Sequence, residues 1–280
     1  MTLNLSGRLL DLSEPVVMGI VNATPDSFYA SSRTPEASGA GQRAAEMLAE
    51  GAALLDVGAY STRPGADDVS ADEEMRRLDL VLSAIRREHP EALVSVDTFR
   101  ADVARRCVRD FGIQMVNDIS GGQWDTAMFD TVADLRVPYV MMHVCGTPQT
   151  MHQTVHYDDL AVSVAQFFAF RLQQLYDRGV ADVILDPGFG FSKTLQQNYE
   201  LMARLPDLCR LFQDNAVLVG VSRKSMVYRL LGTSPEEALN GTTVLNTLAL
   251  QAGARILRVH DIRAAVEAVR IHQAVEKLKN

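Results

Sequence analysis

The chain has 280 residues, of which 47% are hydrophobic and 22% charged, and its formal net charge is −8. This length and composition suit one large globular domain with a substantial core. The negative net charge argues against a general nucleic-acid or anionic-membrane binder, because both need broad basic surfaces. A small anionic ligand is not excluded, since it needs only a local cluster of positive groups.

The cellular setting is predicted from the first residues and from the cysteines. The opening MTLNLSGRLLDLSEP lacks the basic and apolar regions of a signal peptide, and no run approaches the roughly 18 apolar residues of a membrane helix. Cys107, Cys145 and Cys209 are odd in number and widely spaced, which indicates reduced thiols. We therefore expect a cytoplasmic protein and interpret the glycosylation sequon at Asn22 as chance.

Eight short β-branched or aliphatic runs recur along the chain, each ending in polar or glycine residues. Near-continuous apolar runs are typical of strands in a parallel sheet that helices cover. The predicted strands span residues 16–22, 53–59, 92–98, 114–120, 138–143, 182–188, 216–223 and 255–260. Amphipathic stretches alternate with them and predict helices over 38–50, 70–88, 100–110, 124–135, 158–178, 194–213, 236–252 and 261–277.

This alternation predicts a (β/α)₈ barrel of the TIM type, formed as a single domain over residues 1–280. Residues 1–15 precede the first strand, and we expect them to form a short cap at the bottom of the barrel. A doubly wound open sheet is the alternative, because GAGQRA at 39–44 is close to a dinucleotide-binding fingerprint. That motif should follow a strand directly, whereas about sixteen residues intervene after Asn22.

Polar side chains stand at the ends of nearly all the predicted strands, which is where barrels of this kind place their active sites. Burying so many polar groups at one barrel mouth is costly unless they have partners. The strand-end residues are Asn22, Asp97, Asn117, Asp118, His143, Asp186, Arg223, Lys224, Ser225, Arg258 and His260, and the loop after the second strand adds Ser61, Thr62, Arg63 and Pro64. Taken singly, Asp118 and Asp261 can also be interpreted as helix caps.

The strand-end residues fall into two chemical groups. One offers acidic acceptors, an amide and a cation, which suit a flat heterocycle with a donor-rich edge. Its members are Asp97, Asn117, Asp186 and Lys224. The other offers donors and an oxygen ligand, which suit a phosphorylated group with Mg²⁺ held by few protein ligands and several waters. Its members are Asn22, Thr62, Arg63, Arg258 and His260.

A zinc site is an alternative interpretation of the segment after the fifth predicted strand. His143, Cys145, His152 and His156 lie within HVCGTPQTMHQTVH, and the last two histidines have a zinc-like spacing. The segment lacks a second cysteine pair, so no known ligand frame is complete. The preferred interpretation leaves His152 and His156 as exposed loop histidines.

Eight motifs, taken in chain order, resemble the dihydropteroate synthase family of the folate pathway. The motifs are GIVNATPDSF, DVGAYSTRPGA, VSVDT, VNDISGG, MMHVCGTPQTM, DPGFGFSKT, VSRKS and RVHD. The resemblance runs from about residue 16 to 277 and implies a (β/α)₈ barrel, usually a homodimer. It also implies the reaction: 4-aminobenzoate displaces diphosphate from (7,8-dihydropterin-6-yl)methyl diphosphate, giving 7,8-dihydropteroate.

The resemblance further implies roles for individual residues. Asp97, Lys224 and Arg258 would be catalytic. The implied pterin pocket consists of Asp97, Asn117, Met142, Asp186 and Lys224. Asn22 would be the Mg²⁺ ligand, and the implied diphosphate contacts are Asn22, Thr62, Arg258 and His260. The implied aminobenzoate subsite consists of Phe28, Arg63, Pro64, Phe191, Lys224 and Ser225.

The chain departs from the family in its first loop. Many relatives read Ser-Phe-Ser-Asp-Gly-Gly there, whereas this chain reads SFYASSR, with Ala30 in place of the aspartate. Two other functions stay open at this stage: a pterin-dependent methyltransferase domain and a non-catalytic pterin-binding subunit. Small-molecule substrates, with no nucleic acid and no membrane, are the expected partners besides a second copy of the chain.

Overall fold

A closed barrel of eight parallel strands forms the centre of the molecule. The computed structural model describes residues 1–23, 36–60, 69–147, 149–151 and 155–279. The strands are β1 (Thr2–Leu5), β2 (Arg8–Asp11), β3 (Val16–Asn22), β4 (Leu54–Gly58), β5 (Val94–Asp97), β6 (Met115–Asp118), β7 (Tyr139–Met142), β8 (Val183–Asp186), β9 (Ala216–Val219) and β10 (Ile256–Val259).

Helices alternate with the barrel strands along the chain. They are α1 (Glu36–Ala49), α2 (Ala71–Glu88), α3 (Ala101–Phe111), α4 (Met128–Leu135), α5 (Leu160–Tyr176), α6 (Leu195–Leu211), α7 (Ser225–Leu231), α8 (Leu239–Ala252) and α9 (Ile262–Glu276). Within the described ranges, no helix is both long and apolar enough to cross a membrane.

The barrel runs from β3 through β9 in chain order, and β10 closes it by pairing in parallel with both β9 and β3. This confirms the predicted (β/α)₈ fold and excludes the open doubly wound sheet. The motif at 39–44 lies inside α1, away from any strand–helix turn. One helix was missed: α7 stands where the sequence predicts only a loop, because seven residues are too few for a clear helical period.

The bottom of the barrel interior is apolar and is covered by the antiparallel hairpin of β1 and β2. Leu3 and Leu5 of the hairpin, together with Leu12, are buried against side chains such as Met18 and Leu54, which point into the barrel. Water is thereby excluded from the lower half of the barrel, and the hydrophobic effect stabilises its closure.

A polar layer lies above this apolar layer, because side chains two residues apart on a strand point the same way. On four strands the residue two positions after an apolar interior residue is polar, and on β7 it is a methionine. The pairs are Leu54 and Asp56, Met115 and Asn117, Val140 and Met142, Ile184 and Asp186, and Ile256 and Arg258. Alternation along parallel strands thus collects polar groups at the carboxyl-terminal mouth.

The outer layer, between the strands and the helices, is the largest apolar core. Phe168 on α5 is only 1% exposed, and its ring lies 5.8 Å from that of Phe212 in an edge-on arrangement. Phe170, two residues along the same helix, is 65% exposed. Replacing either phenylalanine by alanine therefore makes the same chemical change, once at a buried site and once at an exposed one.

We expect Phe168→Ala to lower the free energy of unfolding by about 3–5 kcal/mol, because it removes buried apolar surface and leaves a cavity. Urea unfolding followed by circular dichroism measures the loss. Phe170→Ala is the matched control and should change the stability by less than about 0.5 kcal/mol. Equal losses in the two variants would contradict the packing described here.

Candidate active site

Arg258 joins the polar side chains inside the barrel mouth. It projects from β10, and its Nε donates to Asp56 Oδ2 at 2.7 Å while its Nη2 donates to Asp97 Oδ2 at 2.7 Å. Asn117 Nδ2 donates to the same Asp56 oxygen at 2.8 Å. Four strands therefore contribute to one hydrogen-bonded group, and the guanidinium is fixed in orientation by two carboxylates.

Burial perturbs the protonation of this group. Burial raises the pKa of Asp97 to about 7, although the positive charge of Arg258 opposes the shift. Burial alone would lower the pKa of Arg258, but the charges of Asp56 and Asp97 raise it above its ordinary value, so the guanidinium stays charged. At neutral pH the barrel mouth thus holds a permanent cation and a carboxyl group that can exchange a proton.

A second cation belongs to the segment after β9, the strand that pairs with β10. Lys224 directly precedes α7, and its Nζ donates to the Phe189 carbonyl at 2.6 Å and stands 4.5 Å from the centre of the Phe191 ring. Burial lowers the pKa of Lys224 to about 8, against the attraction of Asp186. Burial likewise raises the pKa of Asp186, whose Oδ1 accepts the Gly188 N–H at 2.8 Å.

The remaining described candidates border these two groups. His260 follows β10, and its Nδ1 lies 3.1 Å from Ser222 Oγ. Asn22 ends β3, where it pairs in register with Gly58, and Gly58 in turn pairs with Asp97. Met142 is buried at the end of β7, and Ser225 is the first residue of α7. The carboxyl ends of the strands thus bring together the described candidates from both chemical groups.

The structure changes the expected grouping in one respect. Arg258 was assigned to the phosphate group, yet it is bonded to Asp97 of the heterocycle group, so the two groups share one ion pair. Phe28, Thr62, Arg63 and Pro64 lie outside the described residues, as do Ala30 and His152.

The helix-cap interpretation of two aspartates is wrong. Asp118 is fully buried and accepts hydrogen bonds from the Tyr139 hydroxyl and two backbone N–H groups of its own loop, because no helix begins there. Asp261 stands at the start of α9 without capping it and instead accepts a bidentate ion pair from Arg223. Arg223 therefore ties two loops together rather than facing the barrel mouth.

The two described histidines of the suggested zinc segment, His143 and His156, have different partners. His143 is buried, with its Nδ1 3.1 Å from Lys193 Nζ, and burial lowers its pKa well below the ordinary value. His156 is exposed as expected and pairs with Asp158. No cluster of three or more His, Cys, Asp or Glu side chains suited to a metal occurs among the residues that the structure describes.

Sequence reasoning missed Asp56, which accepts from both Arg258 and Asn117. It lies in the run ALLDVGA and not at its end, so it was counted only as part of an apolar strand. The available indication was its register: Asp56 follows Leu54 by two residues and therefore faces the barrel interior. An acidic residue inside a buried strand needs a partner, and this strand offers none of its own.

A closed parallel barrel with two anchored cations and several buried acids at its carboxyl-terminal mouth defines a TIM-barrel enzyme that binds a polar, anionic substrate. A model of the pterin binding enzyme family matches residues 18–260. The dihydropteroate synthase of Escherichia coli strain K12 is 39% identical over 100% of this chain and 98% of its own length.

Solved structures agree with the sequence comparison. Xanthomonas albilineans dihydropteroate synthase with 4-aminobenzoic acid is 40% identical, with a TM-score of 0.90 over 98% of each chain. Its complex with 7,8-dihydropteroate gives 37% identity and a TM-score of 0.87 over 99% of each chain. The chain therefore belongs to the dihydropteroate synthase family of pterin-binding enzymes.

Replacing Asp97 by Asn should remove a pH-dependent part of the stability. The folded pKa of about 7 lies above the ordinary value of 3.8, so the folded protein binds more protons than the unfolded chain between these pH values. The free energy of unfolding of the wild type, relative to Asp97→Asn, should therefore fall from about pH 4 to about pH 7 and then level off.

Urea unfolding of both proteins across this pH range measures the difference. Asp134→Asn, which changes an exposed acid on α4, is the matched control and should show no such trend. A difference between wild type and Asp97→Asn that is constant with pH would contradict the raised pKa.

Proposed function

We propose that this protein condenses (7,8-dihydropterin-6-yl)methyl diphosphate with 4-aminobenzoate to give 7,8-dihydropteroate and diphosphate. The observation that carries the proposal is the ion pair of Arg258 with Asp97, which shares the mouth of a TIM barrel with Lys224 and Asp186. Full-length similarity to dihydropteroate synthases, including one solved with 4-aminobenzoic acid and with 7,8-dihydropteroate, supports it.

The pterin is proposed to bind inside the mouth. The carboxylate of Asp186 accepts paired N–H bonds from the edge of the ring, and Lys224 donates to a ring carbonyl. Asn117 supplies an amide whose orientation is set by its bond to Asp56. Met142, buried at the end of β7, contributes an apolar, polarisable side of the pocket.

The diphosphate is proposed to lie at the rim, near Arg258, His260 and the Thr62 position. Asn22 fits Mg²⁺, because this ion takes one or two protein oxygens and fills its remaining positions with water and substrate phosphate. The carboxamide of Asn22, at the end of β3, is such an oxygen donor and needs no cluster of acidic ligands. Bound there, Mg²⁺ would neutralise part of the diphosphate charge.

The chemical step requires no covalent enzyme intermediate. The C–O bond to diphosphate breaks, and the positive charge left on the methylene spreads into the pterin ring. Ionised Asp97 stabilises that charge, and Arg258 stabilises the departing anion. The 4-aminobenzoate nitrogen then forms the new C–N bond and loses a proton. Positioning and electrostatics therefore supply most of the rate.

The 4-aminobenzoate subsite is proposed to consist of residues from the barrel mouth and residues from the first two loops. Phe191, Lys224 and Ser225 come from the described part of the barrel mouth, where the Phe191 ring lies under the Lys224 ammonium. The first two loops are proposed to add Phe28, Arg63 and Pro64. The carboxylate of 4-aminobenzoate would be held by a cation and the Ser225 hydroxyl.

Lys224→Ala should reduce kcat/KM by about 10²-fold or more, because it removes a buried donor that both substrates are proposed to share. Release of diphosphate and formation of dihydropteroate, assayed with Mg²⁺ and both substrates, measure the effect. Lys277→Ala removes an exposed lysine near the chain end and serves as the control. Near-normal turnover by Lys224→Ala would contradict the assignment.

The same assay separates the other functions. A non-catalytic subunit would bind the pterin without releasing diphosphate. A methyltransferase domain would bind the pterin and leave 4-aminobenzoate unchanged. Either result for the wild-type protein would reject the proposed reaction.

We also propose that the chain forms one catalytic domain capped by residues 1–15, acts in the cytoplasm, and assembles as a homodimer. The three cysteines are free thiols, as a reducing compartment favours. Helices α7, α8 and α9 expose several large apolar side chains on neighbouring surfaces, which supports a twofold contact between copies. These residues are Leu230, Leu231, Val244, Leu248, Ile271 and Val275.

Val244→Glu combined with Leu248→Glu should convert the dimer to a monomer, because it places two charges on one exposed face of α8. Light scattering coupled to size-exclusion chromatography measures the mass. Phe170→Glu, which adds a charge at an exposed phenylalanine on α5, should leave the mass unchanged. A wild-type protein that is monomeric would refute the dimer.

A further inference from the structure

A buried lysine that the proposed reaction does not use lies within the loop between β8 and α6. Lys193 is 8% exposed, and its Nζ donates to the Gly188 carbonyl at 2.9 Å and to the Phe191 carbonyl at 3.2 Å. Its third neighbour is His143 Nδ1 at 3.1 Å. Three acceptors thus match the three N–H bonds of one ammonium.

Burial shifts the protonation of both members of this pair. Burial lowers the pKa of His143 well below the ordinary value, so its ring is neutral and Nδ1 can accept a hydrogen bond. Burial also lowers the pKa of Lys193 to about 7, with Asp186 opposing the shift. A buried ammonium is costly unless hydrogen bonds compensate it, and the three acceptors around Nζ provide that compensation.

The loop that contains Lys193, between β8 and α6, also contacts Lys224. Its Phe189 carbonyl accepts from Lys224 Nζ at 2.6 Å, and its Phe191 ring lies 4.5 Å from the same atom. The loop is also pressed against the end of β7. A Cβ on Gly188, where φ is +73°, would lie 2.0 Å from the His143 carbonyl oxygen, so only glycine allows this approach.

We propose that Lys193 is a positioning residue for Lys224. By holding the Gly188 and Phe191 carbonyls on either side of Phe189, it fixes both the carbonyl and the ring against which Lys224 rests. His143, whose backbone N–H donates to the Asp186 carbonyl at 2.9 Å, fixes Lys193 to the barrel. The inference rests on the proposed function, in which Lys224 contacts both substrates.

Lys193→Met tests the proposal, because it keeps the length of the side chain and removes all three donors. We expect kcat/KM to fall by about tenfold or more and KM for 4-aminobenzoate to rise, since small displacements of a binding group are costly. Lys277→Met, the same change at an exposed lysine, is the control and should leave both constants unchanged. Wild-type constants for folded Lys193→Met would overturn the proposal.

The double variant Lys193→Met with Lys224→Ala distinguishes positioning from general support of the fold. If Lys193 acts through Lys224, its loss should change kcat/KM by less than about twofold once Lys224 is absent. If the losses of kcat/KM in the two single variants multiply in full in the double variant, the two lysines act independently and the proposal is overturned. Should Lys193→Met fail to fold, Lys193→Gln keeps two donors on a shorter side chain, and wild-type constants for that variant would likewise overturn it.

Hydrogen–deuterium exchange gives a readout that does not depend on activity. The peptide covering residues 187–192 should exchange faster in Lys193→Met than in the wild type and in Lys277→Met. Unchanged exchange would overturn the positioning role. A wild-type protein that lacks activity would reject the proposed function alone, and the exchange result would still decide the role of Lys193.

Discussion

Arg258 lies inside the barrel between the carboxylates of Asp56 and Asp97, and the rest of the site is arranged around that ion pair. One guanidinium is thus shared by two carboxyl groups in a place where solvent is scarce. Burial raises the pKa of Asp97, the charge of Arg258 opposes the shift, and the neighbouring Asp56 adds to it. A positive charge developing on a bound substrate would therefore favour ionisation of Asp97, whose pKa of about 7 is close to neutral pH.

The barrel makes this arrangement possible because its strands are parallel. All eight end at the same mouth, so one polar residue on each strand is enough to form a ring. The apolar layer below, sealed by the β1–β2 hairpin, keeps water from entering beneath the polar groups. Lys224 enters the same ring from the start of a helix, and the β8–α6 loop supports it from the other side.

Much of the site could be predicted from strand ends. Asp97, Asn117, Asp186 and Arg258 each lie at or near the end of a predicted strand, and the structure places all four at the barrel mouth. Asp56 and Lys193 could not be found in this way. Asp56 lies within an apolar strand, and its partners come from strands 61 and 202 residues further along the chain. The sequence gives no sign that Lys193 is more than an ordinary loop residue, because its partner His143 lies 50 residues earlier in the chain.

The sequence by itself determined the alternation of strands and helices, the closed barrel and the polar residues at its mouth, because these depend on local periodicity and on the order of motifs. Only the tertiary structure decided which polar groups pair. It showed that Arg258 lies between Asp56 and Asp97, and that Asp261 pairs with Arg223 and does not cap its helix. It also showed that Lys193 donates back to its own loop, the one that supports Lys224. Such pairings depend on distances across the barrel, which chain order does not encode locally.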